Sequence, residues 1–249
     1  MKVLVCVDDT DNLETIGTGK LSQIMADIIE DKQWGSCSAV SRHQLFVHDD
    51  IPYTSHNSAM CFGIDFTGEL AGLIDFGAGF LEERSAKGSD PGFCVVPLDN
   101  GLDRDALMDF GRRAKCEVLS KALAYDLAKD LGVHLSEHGG TGDGVVGAIA
   151  GIGLRLSGND GRFRGWAHFG HTGTLTTVAT LCTEGYIDGV KTVDGELLAP
   201  DTGIWLAADK VKTMFTNNQR VVMVTRTHGD QGADKARWRT LTKPEIRQY

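Results

Sequence analysis

The stretch MKVLVCVDDTDNLETIGTGK, residues 1–20, decides how the chain is read. An apolar run from Val3 to Val7 breaks off at Asp8, Asp9, Thr10 and Asp11. So short and unbroken a run reads as a strand buried on both faces. It carries three carboxylates to its C-terminal end, where open α/β sheets hold their ligands. Gly17-Thr18-Gly19-Lys20 then opens a helical pattern, with Thr18 as the expected N-cap. Backbone N–H groups and a cation at a helix N-terminus make an anion site, and a capping hydroxyl points toward any phosphate held there. Carboxylates for a hard divalent cation beside such a helix end suggest nucleotide chemistry.

Three aspartates after a strand also suit a turn or a helix cap. Set together, however, Asp8, Asp9 and Asp11 repel one another unless a cation bridges them. That favours Mg²⁺ held by Asp8, Asp9 and Asp11. Thr10, Gly17, Thr18, Gly19 and Lys20 are then the candidate nucleotide contacts, and Thr18 is also a candidate phosphoryl acceptor.

Outward from this stretch, Leu21, Ile24, Met25, Ile28 and Ile29 keep the period of a one-faced helix. A polar loop from His48 to Ser58 leads into a strand over 59–66, and His56, Asn57 and Ser58 are candidate substrate contacts. The pattern predicts a helix over 70–81, a charged loop over 82–91, a strand over 93–96 and a helix over 103–113. A long helix is expected from about Lys115 to Leu131, with Val118, Leu119, Ala122, Leu123, Leu127 and Leu131 on one face.

A second glycine motif, Glu137-His138-Gly139-Gly140-Thr141-Gly142-Asp143-Gly144, precedes the small-residue apolar segment Val145–Leu154. It matches neither the Walker A pattern nor the dinucleotide fingerprint. Its glycines would still let a phosphate approach a helix N-terminus closely. His138 is a candidate base or substrate contact, or a structural loop histidine. Arg162 and Arg164 alternate after a turn and are candidates to clamp a phosphate. Strands are expected over 175–182, 189–198, 204–206 and 221–225, followed by a peripheral basic tail from Asp230 to Tyr249. Strands and helices so interspersed imply an α+β (α/β-like) fold.

Glycine is abundant, 31 residues against 5 prolines, and clusters beside polar residues, so it marks turns and ligand loops. The net charge of −9 argues against broad nucleic-acid binding. Six cysteines show no CxxC pair and no zinc spacing, and Cys6 reads as a small core residue. No run approaches the ~18 apolar residues of a membrane span. Nor does the N-terminal run look like a signal peptide. A cytoplasmic protein with no membrane partner is expected.

The DDTD at 8–11, Thr18, the Ile51-Pro52-Tyr53 loop and the glycine turn before Val145-Val146-Gly147-Ala148 resemble the archaeal tRNA(Ile) 2-agmatinylcytidine synthetase family. That family uses ATP to modify an anticodon cytidine with agmatine. The resemblance covers a kinase-like nucleotide-binding domain and a ferredoxin-like domain inserted into it. It implies catalytic, metal-binding roles for Asp8, Asp9 and Asp11, phosphorylation of Thr18, and a nucleotide contact for the loop Gly139, Gly140, Thr141, Gly142, Asp143 and Gly144. It further implies one domain from residues 1–59 and 132–190 and another from 60–131 and 191–249. The family's OB-fold and zinc-ribbon domains have no counterpart in these residues, so nucleic acid is expected only with a partner protein.

The leading expectation is an ATP- and Mg²⁺-dependent phosphotransferase or ligase-type enzyme acting on a small-molecule acceptor. A tRNA-modifying synthetase working with a separate RNA-binding partner is the first alternative. A non-catalytic nucleotide-binding regulatory module is the second. The oligomeric state stays open, with a homo-oligomer allowed.

Overall fold

The computed structural model describes residues 1–51, 57–99, 101–227 and 237–247. The fold is α+β, and the chain divides into two compact units, Met1–Ser157 and Gly158–Tyr249. In the first unit β1 (Lys2–Asp8) is followed by α1 (Thr18–Asp31), β2 (Gly35–Cys37), β3 (Ser41–Gln44) and β4 (Ser58–Phe66). Then come α2 (Leu70–Arg84), β5 (Gly92–Pro97), α3 (Arg104–Arg113), α4 (Lys121–Leu131), β6 (His134–Glu137) and α5 (Gly144–Leu156).

The sheet of this unit runs β6-β5-β1-β4-β3, with β2 also on β4, and every pairing is antiparallel. This antiparallel order positions the site. Because its neighbours run the other way, the C-terminal end of β1 lies beside the starts of β4 and β5. Val7 pairs with Met60, and Asp8 pairs with Gly92. The aspartates therefore meet residues 57–60 and 90–92 rather than two other strand ends.

Alternation along β1 feeds two cores. Val3, Val5 and Val7 pack with Leu21, Met25 and Ile29 of α1 and with Leu73, Phe80 and Leu81 of α2. Leu4 and Cys6 face the other way, into a core built by Val145, Ala148, Ile149 and Ile152 of α5 and by Leu107 and Phe110 of α3. Each large side chain fully buried here contributes roughly 1.5–3 kcal/mol. Helix α5 lies close on the sheet because it is small-sided: a Cβ at Gly151 would strike the Cys6 sulfur. Cys61, Cys6 and Cys94 stand in one row across β4, β1 and β5, all fully buried.

The long helix expected from Lys115 begins at Lys121 instead. The Ser120 side chain accepts a hydrogen bond from Leu123 N–H and caps α4 there, which leaves Val118 and Leu123 exposed and buries Ala124 and Ala128. The segment before the cap is free to run along the site described below.

The second unit comprises β7 (Arg162–Phe163), β8 (Leu175–Thr177), α6 (Val178–Gly185), β9 (Gly189–Thr192), β10 (Gly203–Trp205), β11 (Thr213–Thr216), β12 (Gln219–Arg226), β13 (Trp238–Thr240) and α7 (Lys243–Ile246). Strand β12 pairs with β11 and β13 antiparallel and with β9 parallel, and β10 joins β13 to β8. The strand expected over 175–182 becomes a strand and a helix, because the Thr177 side chain caps α6 by accepting from Thr180 N–H. Part of the basic tail is built in: Trp238 is buried, and Arg239 makes a two-pronged bond to Glu245. Residues 228–236, 248 and 249 of that tail lie outside the described residues.

Within the first unit, residues 58–66 and 92–97 share a sheet with residues 2–8. The acidity is uneven. Residues 1–157 hold 13 Lys and Arg against 24 Asp and Glu, whereas residues 158–249 hold 12 against 10. The net charge thus belongs to the first unit. No helix among the described residues is long and apolar enough to cross a membrane.

Candidate functional site

At the end of β1 the chain turns sharply. Asp9 adopts φ +48°, a left-handed conformation uncommon for a side-chain-bearing residue. The turn lets residues 8–11 fold back on the start of α1. There the Thr18 hydroxyl donates to Asp11 Oδ1 at 2.6 Å and accepts from Thr10 N–H at 3.2 Å and Thr10 Oγ1 at 3.1 Å. The Thr18 N–H also donates to Asp11 Oδ1, at 3.2 Å. Thr18 is therefore not the N-cap. Gly17 takes that place and makes no side-chain cap, while Thr18 is the first helical residue, with a buried hydroxyl.

Burial, then the charges of Asp9 and Asp11, pushes the Asp8 carboxyl up to about 8. Burial, then Asp90 and Asp11, pushes Asp9 up to about 6. Three neighbouring acids and a fourth from the start of β5 thus concentrate negative charge, as a cation site would. Among the described residues, though, no three His, Cys, Asp or Glu side chains are arranged to hold a metal ion by themselves. The donor set fits Mg²⁺ in its usual form, one or two carboxylates completed by substrate phosphates and water, and does not fit an all-protein cage.

The aspartates wall a cavity of about 600 Å³ in the first unit. Asp8 meets α5 at Gly147, where a Cβ would collide with its carboxylate. Gly17, Thr18 and Gly19 form another side, and Asn57 and Ser58 from the start of β4 a third. Arg42 reaches the wall from β3, donating through Nε to Ser58 Oγ at 3.0 Å and through Nη2 to Gln44 Oε1 at 3.0 Å. Residues 117–122, the segment before and at the Ser120 cap, also line the cavity, together with the apolar Leu45, Ile51, Met60 and Val146. The lining thus mixes charged and apolar side chains, which suits a ligand with a charged part and a flat or aliphatic part.

The glycine motif is arranged differently from its sequence reading. Asp90 accepts hydrogen bonds at Oδ1 from Thr141 N–H and from Gly142 N–H, the latter at 3.1 Å. On the other side Lys121 Nζ donates to the Thr141 carbonyl at 2.6 Å and to Glu137 at 2.9 Å. Asp90, Asp143, Gly144 and Gly147 line the cavity, while Gly139, Gly140, Thr141 and Gly142 do not.

The remaining candidates divide. Lys20 is exposed and lies outside the cavity wall, and Thr10 is buried behind Thr18. His138 also lies outside it: its Nε2 pairs with Ser136 Oγ at 2.8 Å, its ring stands against Phe93, and its Nδ1 is 3.6 Å from Glu82. Burial holds its pKa below the ordinary value, opposed by Glu82. His56 lies outside the described residues. Arg162 and Arg164 belong to the second unit, where Arg162 donates to the Ile246 carbonyl at 3.2 Å. Sequence reasoning missed Asp90, Arg42, Ser120 and Lys121. Only Ser120 left a local signal, a capping residue inside an apparent helix.

No family model and no curated protein matches the chain. Solved structures do resemble it. The crystal structure of a tRNA fluorescent labeling enzyme is similar over 61% of this chain and 36% of that one, at 25% identity and a TM-score of 0.53. TiaS, a tRNA agmatidine synthetase, is similar in its complex with tRNA and ATP, over 88% of this chain and 56% of that one, at 18% identity and a TM-score of 0.55. Its complex with tRNA, AMPCPP and agmatine is similar over the same shares, at 18% identity and a TM-score of 0.54. The chain spans from about a third to just over half the length of these structures, and what it shares with them is a TiaS-like fold.

Proposed function

We propose that this chain is an ATP-dependent enzyme that modifies RNA, with the nucleotide polyphosphate held at the Asp8, Asp9, Asp11 and Thr18 end of the cavity. The observation that carries the reading is the Thr18–Asp11–Thr10 network, which ties Asp11 to the start of α1 in a ligand-sized cavity that Asp8 and Asp9 also line. The likeness to a fold solved with ATP and tRNA supports it. An acceptor RNA replaces the free small molecule of the sequence reading as the leading substrate. A separate RNA-binding partner fits the first unit, whose excess of Asp and Glu over Lys and Arg disfavours a nucleic-acid backbone.

Each residue has a task. Asp8 and Asp9 would hold Mg²⁺, which would supply positive charge against the negative charge developing on the phosphates. Asp11 accepts the Thr18 proton, so Thr18 Oγ is oriented as a phosphoryl acceptor or a phosphate contact needs. The N-termini of α1 and α5 direct backbone N–H dipoles toward an anion in the same space. Leu45, Ile51 and Met60 add apolar surface to the cavity wall.

The test is MgATP binding and turnover by the purified chain, with and without bulk tRNA, beside Asp8→Asn. RNA-stimulated turnover that Asp8→Asn abolishes supports the reading. Turnover stimulated by small amines and not by RNA would return the acceptor to a small molecule. ATP binding without turnover under every condition would favour a regulatory module.

A further inference from the structure

The glycine loop leaves a geometric question: what do its backbone N–H groups serve? Those of Thr141 and Gly142 converge on one carboxylate oxygen, Asp90 Oδ1. The glycines around it make room for that carboxylate. Gly140, at φ +58°, has no Cβ where one would strike Asp90 Oδ1, and a Cβ at Gly144 would strike the Asp90 carbonyl. The chain is pressed together on both sides of this contact. His138 N–H donates to the Pro91 carbonyl at 2.9 Å, and Gly92 is so close to Gly144 that a Cβ on it would meet the Gly144 backbone. From the far side, Lys121 Nζ holds the Thr141 carbonyl. Thr141 is thus gripped through its N–H by the residue before β5 and through its C=O from α4. Asp90 lines the cavity and residues 139–142 do not, so the two N–H groups meet the Asp90 carboxylate at a residue of the cavity wall.

We propose that Asp90 is a positioning residue of this site: its carboxylate pins the glycine loop to the aspartate wall, and the N–H groups of Thr141 and Gly142 serve Asp90 rather than an incoming phosphate. This rests on the reading of the cavity as a nucleotide site. The loop's glycines then exist to wrap a chain around a carboxylate, and the phosphate-facing N–H groups are those at the starts of α1 and α5. Losing the pin lets the loop lift, which displaces Asp143 and Gly144 at the helix end.

The experiment compares wild type, Asp90→Ala and Asp90→Asn, reading amide hydrogen exchange across the full chain and MgATP affinity by calorimetry. In Asp90→Ala, residues 141 and 142 exchange at least about tenfold faster and MgATP binds about tenfold more weakly, while β1 and β4 amides keep their protection. Asp90→Asn, whose amide oxygen still accepts both N–H groups, restores both readouts toward wild type. Tighter MgATP binding by Asp90→Ala would overturn the proposal, because the loop N–H groups would then be taking the phosphate. Unchanged exchange at 141 and 142 in Asp90→Ala would overturn it too. A wild type that does not bind MgATP defeats the nucleotide reading alone, and exchange at 141 and 142 still decides the role of Asp90.

Discussion

The Asp8 carboxylate occupies the space that a side chain at Gly147 would need. Strand β1 and helix α5 can therefore meet at the site only because one carries an acid and the other carries nothing. Gly147→Ala should cost about 1–3 kcal/mol by overpacking and empty the cavity of ligand. Adding Asp8→Ala should return part of that stability, with a coupling of about 0.5 kcal/mol or more in a urea-unfolding double-mutant cycle. Additive effects would mean the two residues do not meet.

Asp8 also gives the fold a pH dependence with a definite sign. Its pKa is about 8 folded against an ordinary 3.8, so the folded state keeps the proton more readily than the unfolded chain. Stability is then complete below the ordinary value and falls as pH rises toward 8, and Asp9, at about 6, adds the same trend up to its own value. Thermal melts between pH 5 and 8.5 should show Tm dropping with pH, and Asp8→Asn should flatten that slope. MgATP should flatten it in the wild type, by binding the ionised form.

Removing the Thr18 hydroxyl separates shape from hydrogen bonding. Thr18→Val keeps the volume but takes an acceptor from Thr10 N–H and Thr10 Oγ1 and a donor from Asp11. The expected cost is about 1–3 kcal/mol, from polar groups left unpaired in a buried setting. Thr18→Ser, which keeps the hydroxyl, should lie much nearer wild type in the same denaturation curves. Equal losses in both variants would show that the methyl group, rather than the hydroxyl, holds the turn.

In the second unit, Glu245 is held down to about 2, chiefly by its bond to Arg239 and also by the Thr242 backbone N–H and hydroxyl. Its contribution is present above the ordinary value of 4.5 and lost as pH falls through 2. The pair is partly exposed, so Glu245→Gln should cost only about 1 kcal/mol or less near neutral pH. The difference between variant and wild type should vanish in acid, which melts at pH 7 and pH 2 would check.

What could be read along the chain was whatever neighbours in sequence decide. The Val3–Val7 run, the turn into Asp8–Asp11 and the period of Leu21–Ile29 are local, and they appear as β1, the site turn and α1. Asp90 is not local. It reaches the site because β5 runs antiparallel to β1, and nothing near Ser89-Asp90-Pro91 announces that pairing. The glycine loop makes a related point: a ring of N–H groups looks the same in sequence whether it meets a phosphate or, as those of Thr141 and Gly142 do, a carboxylate of its own chain. The helix over 115–131 shows the opposite error. Its apolar period continues through Ser120, but a hydroxyl able to cap Leu123 N–H starts the helix there.

The three thiols aligned across β4, β1 and β5 make the protein its own gauge of internal motion. Cys116 stands in the open, Cys37 and Cys182 are half-covered, and Cys61, Cys6 and Cys94 are sealed beneath α5. A thiol reagent should therefore be consumed in steps: at once by the first, more slowly by the next two, and by the sealed row only when α5 lifts from the sheet. Counting slow-reacting sulfurs with and without ligand would measure how firmly the helix that abuts Asp8 is held down, using only the cysteines the chain already carries.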